Sequence, residues 1–157
     1  MGYGYGVWYL VRNKYIDNFI RTNNQTSHIA HITVMCHMDK KEAIKLYDYL
    51  KYQIYKEELF IPITNLKLFN GSYTDKEKDI AYGIEFSAKK WYLLKEDIIN
   101  KFKGCFPITP HLSLIYRKHK TKIELADETL LENVNYLLCD LVVADITSDN
   151  PWEWKIL

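Results

Sequence analysis

The sequence predicts an α+β domain. Runs of β-branched and aromatic residues outnumber the amphipathic helical segments, and a strand–helix–strand succession occurs in each half of the chain. A length of 157 residues with 48% hydrophobic content suffices for one core. No linker, low-complexity tract or block of like charge interrupts residues 1–157, so a single domain is expected.

Tyr5 to Val11 alternates aromatic and β-branched residues and reads as a strand. Lys14 to Arg21 suits a short helix, and Thr22 to Ser27 is a polar connection. His28 to Cys36 is apolar along much of its length, as a central strand would be. Asp39 followed three residues later by Glu42 has the spacing of a capping box, and Ala43, Tyr47, Leu50 and Ile54 then form one helical stripe. Pro62 to Phe69 and Ile80 to Phe86 read as hairpin strands around an Asn70-Gly71 turn. Ser87 opens a second helix with the stripe Trp91, Leu94, Ile98 and Phe102, closed by Gly104. His111 to Tyr116 is a further strand, Glu128 to Tyr136 a weak helix, Leu137 to Ile146 a strand, and Trp152 to Ile156 a short terminal one.

A net charge of +1 argues against a protein held to DNA or an anionic membrane by bulk electrostatics, so no membrane and no long nucleic acid are expected as partners. No apolar run approaches the roughly 18 to 20 residues of a membrane span. The start, MGYGYGVWYLV, lacks the basic residues and cleavage site of a signal peptide, and Gly6 stands where a myristoylation signal needs Ser or Thr. Cys36, Cys105 and Cys139 are odd in number and widely separated, which speaks against a disulfide scaffold. A cytoplasmic monomer is the expectation. Lysine, isoleucine, tyrosine and asparagine are abundant and arginine is scarce, a bias that A/T-rich codons produce, which leans toward a viral or low-GC source.

Two tetrapeptides carry the chemistry: His31-Ile32-Thr33-Val34 and His111-Leu112-Ser113-Leu114. Strand side chains alternate faces, so His31 and Thr33 share one face while Ile32 and Val34 share the other, and the second motif behaves alike. Each strand offers an imidazole beside a hydroxyl. One histidine can take a proton from an attacking oxygen while the other protonates a leaving oxygen. The hydroxyls can donate to non-bridging phosphate oxygens. This chemistry needs no metal and no cofactor.

The pair of motifs resembles the 2H phosphoesterase superfamily (LigT-like), which is named for two His-x-Thr/Ser motifs, and the resemblance spans nearly the whole chain. It is closest to the cyclic phosphodiesterases of plants and yeast and to viral LigT-like phosphodiesterases. Tyr5-Gly6-Val7-Trp8 matches their first strand, Ala30-His31-Ile32-Thr33-Val34 their first motif apart from Ala30 in place of Pro, and His111 to Tyr116 their second. The polar insert before Ala30 is a further departure and bears on substrate selection. The resemblance implies a two-lobed fold with antiparallel or mixed sheets around a central cleft and helices outside. It implies His31, Thr33, His111 and Ser113 as catalytic residues, with Trp8 and Tyr116 flanking the base or sugar of a nucleotide. The implied activity is cleavage of 2′ or 3′ ribose phosphodiesters in a small cyclic nucleotide. A cyclic dinucleotide messenger such as cGAMP, degraded by a viral enzyme in the host cytoplasm, leads the substrates. A 2′,3′-cyclic nucleotide, ADP-ribose cyclic phosphate or 2′–5′ oligoadenylate follows.

Other features read more plainly. Arg117 and Lys118, in the basic run to Lys122, can steer an anionic nucleotide. His28 and His31 fall on opposite strand faces, and with Cys36 and His37 they do not make a zinc site. The Gly2-Gly4-Gly6 run precedes a strand and is no phosphate loop. Tyr9 should face away from Trp8, while Trp152 and Trp154 should share a face. The non-enzymatic alternative is a nucleotide- or RNA-binding module; a pure binder, however, has no need of two proton-transfer groups.

Overall fold

The computed structural model describes residues 2–24, 28–51, 60–62, 65–70, 80–85, 89–107, 111–117 and 136–157. The protein is α+β. Among the described residues the elements run β1 (Tyr5–Val11), α1 (Lys14–Asn23), β2 (His31–Met38), α2 (Lys40–Lys51), β3 (Phe60–Pro62), β4 (Asn65–Asn70), β5 (Ile80–Glu85), α3 (Lys89–Ile98), β6 (His111–Arg117), β7 (Tyr136–Asp145) and β8 (Lys155–Ile156). The strands form one sheet in the order β3-β7-β1-β2-β6-β5-β4, with β8 on β7. Every pairing between named strands is antiparallel.

Alternation along the strands divides the sheet into two faces. Val7, Tyr9, Val11, Ile32, Leu112 and Leu114 enter one buried cluster with residues of all three helices, so the helices cover that face. Trp8, alternating with Tyr9 as expected, joins Ala144, Ile146 and Trp154 in a second cluster. Burying a side chain of this size stabilises by roughly 1.5–3 kcal/mol, and most of that gain lies on the helical face.

Local chemistry sets the helix starts. The Asn13 side chain accepts from the main-chain N–H groups of Tyr15 and Ile16 at 2.9 and 3.1 Å. Asp39 accepts from the Glu42 N–H at 2.8 Å, as the capping spacing predicts. The buried stripe of α2 is Ala43, Leu46 and Leu50, whereas Tyr47 is half-buried at its margin with the Lys51 ammonium 5.3 Å from its ring centre. Ile54 lies outside the described residues, as do Gly71, Ser87 and 128–135. Trp91, Leu94 and Ile98 are buried along α3, with Phe102 packed against the same core.

Several boundaries differ from the sequence reading. Helix α1 continues to Asn23, and β2 begins only at His31, leaving His28–Ala30 as its lead-in. The strand expected over Pro62–Phe69 is two, β3 pairing with β7 and β4 with β5. Asn70 pairs with Ile80 at the end of this hairpin, and the turn expected at Asn70-Gly71 runs into residues outside those described. Tyr136 opens a strand rather than closing a helix. Pro151 starts a 3₁₀ turn at Pro151–Glu153, which shortens the terminal strand to two residues. Trp152 and Trp154 therefore share no face: the first is 40% exposed, the second 8%. No helix among the described residues is long and apolar enough to cross a membrane.

Candidate active site

The two motif strands are neighbours at the middle of the sheet, where Ile32 pairs with Leu112. Antiparallel register about that pair sets His31 opposite Ser113 and Thr33 opposite His111. The four residues thus occupy the corners of one rectangle. Paired residues share a face, so the rectangle lies on the face opposite the one into which the fully buried Ile32 and Leu112 project. His31 and Ser113 are buried, and Thr33 and His111 are half-buried.

Each motif is followed by the same irregularity. On β2, Thr33 pairs with Trp8 and Met35 with Val7, so β1 skips Val34. On β6, Ser113 pairs with Gly83 and Ile115 with Tyr82, so β5 skips Leu114. These are β-bulges, which kink a strand and increase its twist just past the histidine and hydroxyl residues. The bulge on β2 explains why both Val34 and Met35 reach the core. Gly6 lets β1 pass it: a Cβ at that position would lie 2.7 Å from the Met35 carbonyl oxygen.

Backbone bonding fixes the tautomer of His31. Its Nδ1 lies 2.7 Å from the Ile29 carbonyl oxygen, and a carbonyl only accepts, so Nδ1 carries the proton and Nε2 is an acceptor. Burial is the main force lowering the pKa of His31, to about 3. The Ile29 bond opposes this fall, while the nearby His28 and His111 add to it. The ring is neutral at physiological pH.

His28, considered from the sequence only as a metal ligand, packs at the same place. Its Nε2–H donates to the Ser113 carbonyl oxygen at 3.0 Å. Burial lowers its pKa too, with the Ser113 bond opposing. Asn24, at the end of α1, donates from Nδ2 to the Leu114 carbonyl at 2.9 Å and to the Ile20 carbonyl at 2.7 Å. Side chains from the α1–β2 connection thereby satisfy consecutive carbonyls of β6. No local sequence signal marks either contact, because each joins residues about ninety positions apart. Among the described residues, no group of three or more His, Cys, Asp or Glu side chains is placed to hold a metal ion.

Trp8 is fully buried, with its ring stacked on that of His31 at 3.6 Å between centres and 13° between planes. The His31 ring covers that face; across the strands Trp8 pairs with Thr33, and His31 is its diagonal neighbour. Trp154 meets His31 edge-on at 5.8 Å, and its Nε1–H donates to the Ser148 carbonyl at 2.8 Å. Tyr116 and Arg117 end β6, paired with Ala81 and Ile80. Lys118 and His119 lie outside the described residues.

Compared with known proteins, the chain matches no family model and no curated protein.

Proposed function

We propose that this protein is a metal-independent phosphodiesterase of the 2H type, acting on a 2′ or 3′ ribose phosphodiester of a small nucleotide. The observation that carries the reading is the rectangle of His31, Thr33, His111 and Ser113 around the Ile32–Leu112 pair. Two proton-transfer groups and two hydroxyl donors on one face are what in-line displacement at phosphorus requires.

The tautomer of His31 supports one division of roles. His31, neutral with an accepting Nε2, takes the proton of the attacking oxygen, which is water or a neighbouring ribose hydroxyl. The new oxygen–phosphorus bond forms as the opposite one breaks, and the leaving oxygen takes a proton from the imidazolium of His111. Thr33 and Ser113 donate to the non-bridging oxygens. The negative phosphate, once bound, favours the protonated form of His31 and so strengthens a base that burial has weakened. The two bulged strand pairs, β1–β2 and β5–β6, support a two-lobed arrangement with the phosphate held at their junction.

Single-domain size and near-neutral charge favour a mono- or dinucleotide over polymeric RNA. We put a cyclic dinucleotide messenger such as cGAMP first, with the compositional bias pointing to a viral protein, and a 2′,3′-cyclic nucleotide second. The test is incubation with cGAMP, 2′,3′-cyclic mononucleotides and 2′–5′ oligoadenylate in EDTA, with products identified by mass spectrometry. Consumption of one substrate is expected. A raised melting temperature with every nucleotide left intact would instead identify a binding module.

A further inference from the structure

The two strand pairs differ beneath their histidines. Opposite Thr33 on β1 stands Trp8, and at the equivalent place opposite Ser113 on β5 stands Gly83, which has no side chain. An indole face therefore lies against His31, while the residue in the corresponding register position of the second pair offers none. We propose that Trp8 is a positioning residue acting through His31: its ring holds the imidazole in one plane with Nε2 directed to the substrate, and stabilises the positive charge that His31 gains on accepting a proton. This rests on His31 being the proton acceptor in the reading above.

Several observations support that role. The rings are nearly parallel, 3.6 Å apart and 13° from coplanar, so the charge on the imidazolium would sit over the π face. Trp154 closes a second side at 5.8 Å, leaving the imidazole little freedom to turn. With Nδ1–H on the Ile29 carbonyl, a proton arriving at Nε2 completes an imidazolium held at Nδ1 and along one face. The ionisable groups that His31 feels are His28, from the lead-in to β2, and His111, from β6, and both oppose its positive charge. On β1 its neighbours Trp8 and Leu10 are uncharged, so the indole quadrupole is the favourable contribution from that side.

The choice of tryptophan fits a charge-stabilising role better than a packing one. Among the described residues Trp8 Nε1 is buried without a hydrogen-bond partner, a cost that a phenyl ring would avoid. What the indole adds is the strongest π face among the aromatic side chains.

The experiment compares Trp8→Phe and Trp8→Leu with the wild type on whichever nucleotide is hydrolysed, with melting temperature as a check on folding. Proton NMR of the His31 ring in the free protein gives a reading that needs no substrate. We expect kcat to fall about threefold in Trp8→Phe and about tenfold in Trp8→Leu with KM little changed, and the acid limb of kcat/KM to move to lower pH in the same order. The His31 ring protons should be shifted upfield in the wild type, lose that shift in Trp8→Leu, and titrate at lower pH there. A variant that folds and keeps both kcat and the titration of His31 overturns the proposal. A rise in KM at constant kcat also overturns it, because Trp8 would then be a nucleotide contact. A displaced titration in a protein that hydrolyses no nucleotide would leave the stabilising stack standing and overturn the phosphodiesterase reading alone.

Discussion

His28 and Ser113 are joined by a hydrogen bond from imidazole Nε2–H to main-chain carbonyl, 3.0 Å long and buried, that ties the lead-in of one motif strand to the middle of the other. Ile32–Leu112 is the registered pair between β2 and β6, so the junction depends on side-chain links of this kind. The face-to-face placement of the four polar residues depends on it in turn.

Removing that link should loosen the junction. His28→Ala leaves the Ser113 carbonyl without this donor and opens a cavity, and a loss of about 2–3 kcal/mol is expected from urea unfolding. Asn24→Ala, at the more exposed end of the same seam, should cost about 1 kcal/mol. If the protein is a phosphodiesterase, both should lower kcat more than they raise KM, since the geometry of the reacting groups is what changes.

Acid should destabilise the protein through its buried histidines. The folded pKa of His31 lies near 3, below its ordinary value of 6.5, so the unfolded chain binds the extra proton first. The stability this represents is fully present above pH 6.5 and is lost as pH falls toward 3, at about 1.4 kcal/mol for each pH unit while the difference in protonation lasts. His28 adds to the same slope, its pKa also being lowered. Urea midpoints should therefore drop between pH 7 and 5, and more shallowly in His28→Gln. A stability that is level across this range would contradict the burial of neutral rings.

Turnover should depend on both motif histidines. His31→Gln and His111→Gln are each expected to lose about 10²-fold or more in kcat, and the double variant far less than the product of the two. The pH profile of kcat/KM should be bell-shaped, with an acid limb below the usual histidine range because His31 resists protonation. Steady-state kinetics from pH 2.5 to 9, over the range where the protein stays folded, would show activity holding well below pH 6.5; an acid limb near 6.5 that vanishes in His31→Gln would reverse the electrostatic account of the base.

Gly6 should tolerate no side chain. Its Cβ would meet the Met35 carbonyl oxygen at 2.7 Å and the Ile146 side chain at 3.2 Å. Gly6→Ala must push β1 away from the bulge on β2, at a cost of roughly 1–3 kcal/mol. A melting temperature unchanged by this substitution would show that the bulge yields freely.

Much of this fold is written in local patterns. The strand Tyr5–Val11 appears at the predicted bounds, the Asp39 cap is made, and Trp91, Leu94 and Ile98 face the core because a helical period leaves little choice. Boundaries set by competition escaped the pattern. His28–Ala30 look like strand residues, yet the His28 ring bonds to β6, and the segment precedes the first residue of β2. Leu46 displaces Tyr47 from the α2 stripe because a phenol at the core margin keeps its hydroxyl end accessible. Pro151 sets φ for a turn where hydrophobicity alone suggested a strand.

The sequence by itself determined which residues share a strand face, since alternation with period two is a property of the backbone: His31 with Thr33, His111 with Ser113, and Tyr9 turned from Trp8. It could not determine how β2 meets β6, because pairing between segments eighty residues apart is decided by packing of both against the helices. Only the tertiary structure set His31 opposite Ser113, placed matching bulges after both motifs, and gave one histidine an indole floor where the other pair has a glycine. The protonation of His31 belongs to the same class. An imidazole has one pKa in a free chain, and here burial makes the ring neutral while the Ile29 carbonyl, by holding the Nδ1 proton, leaves Nε2 as the acceptor.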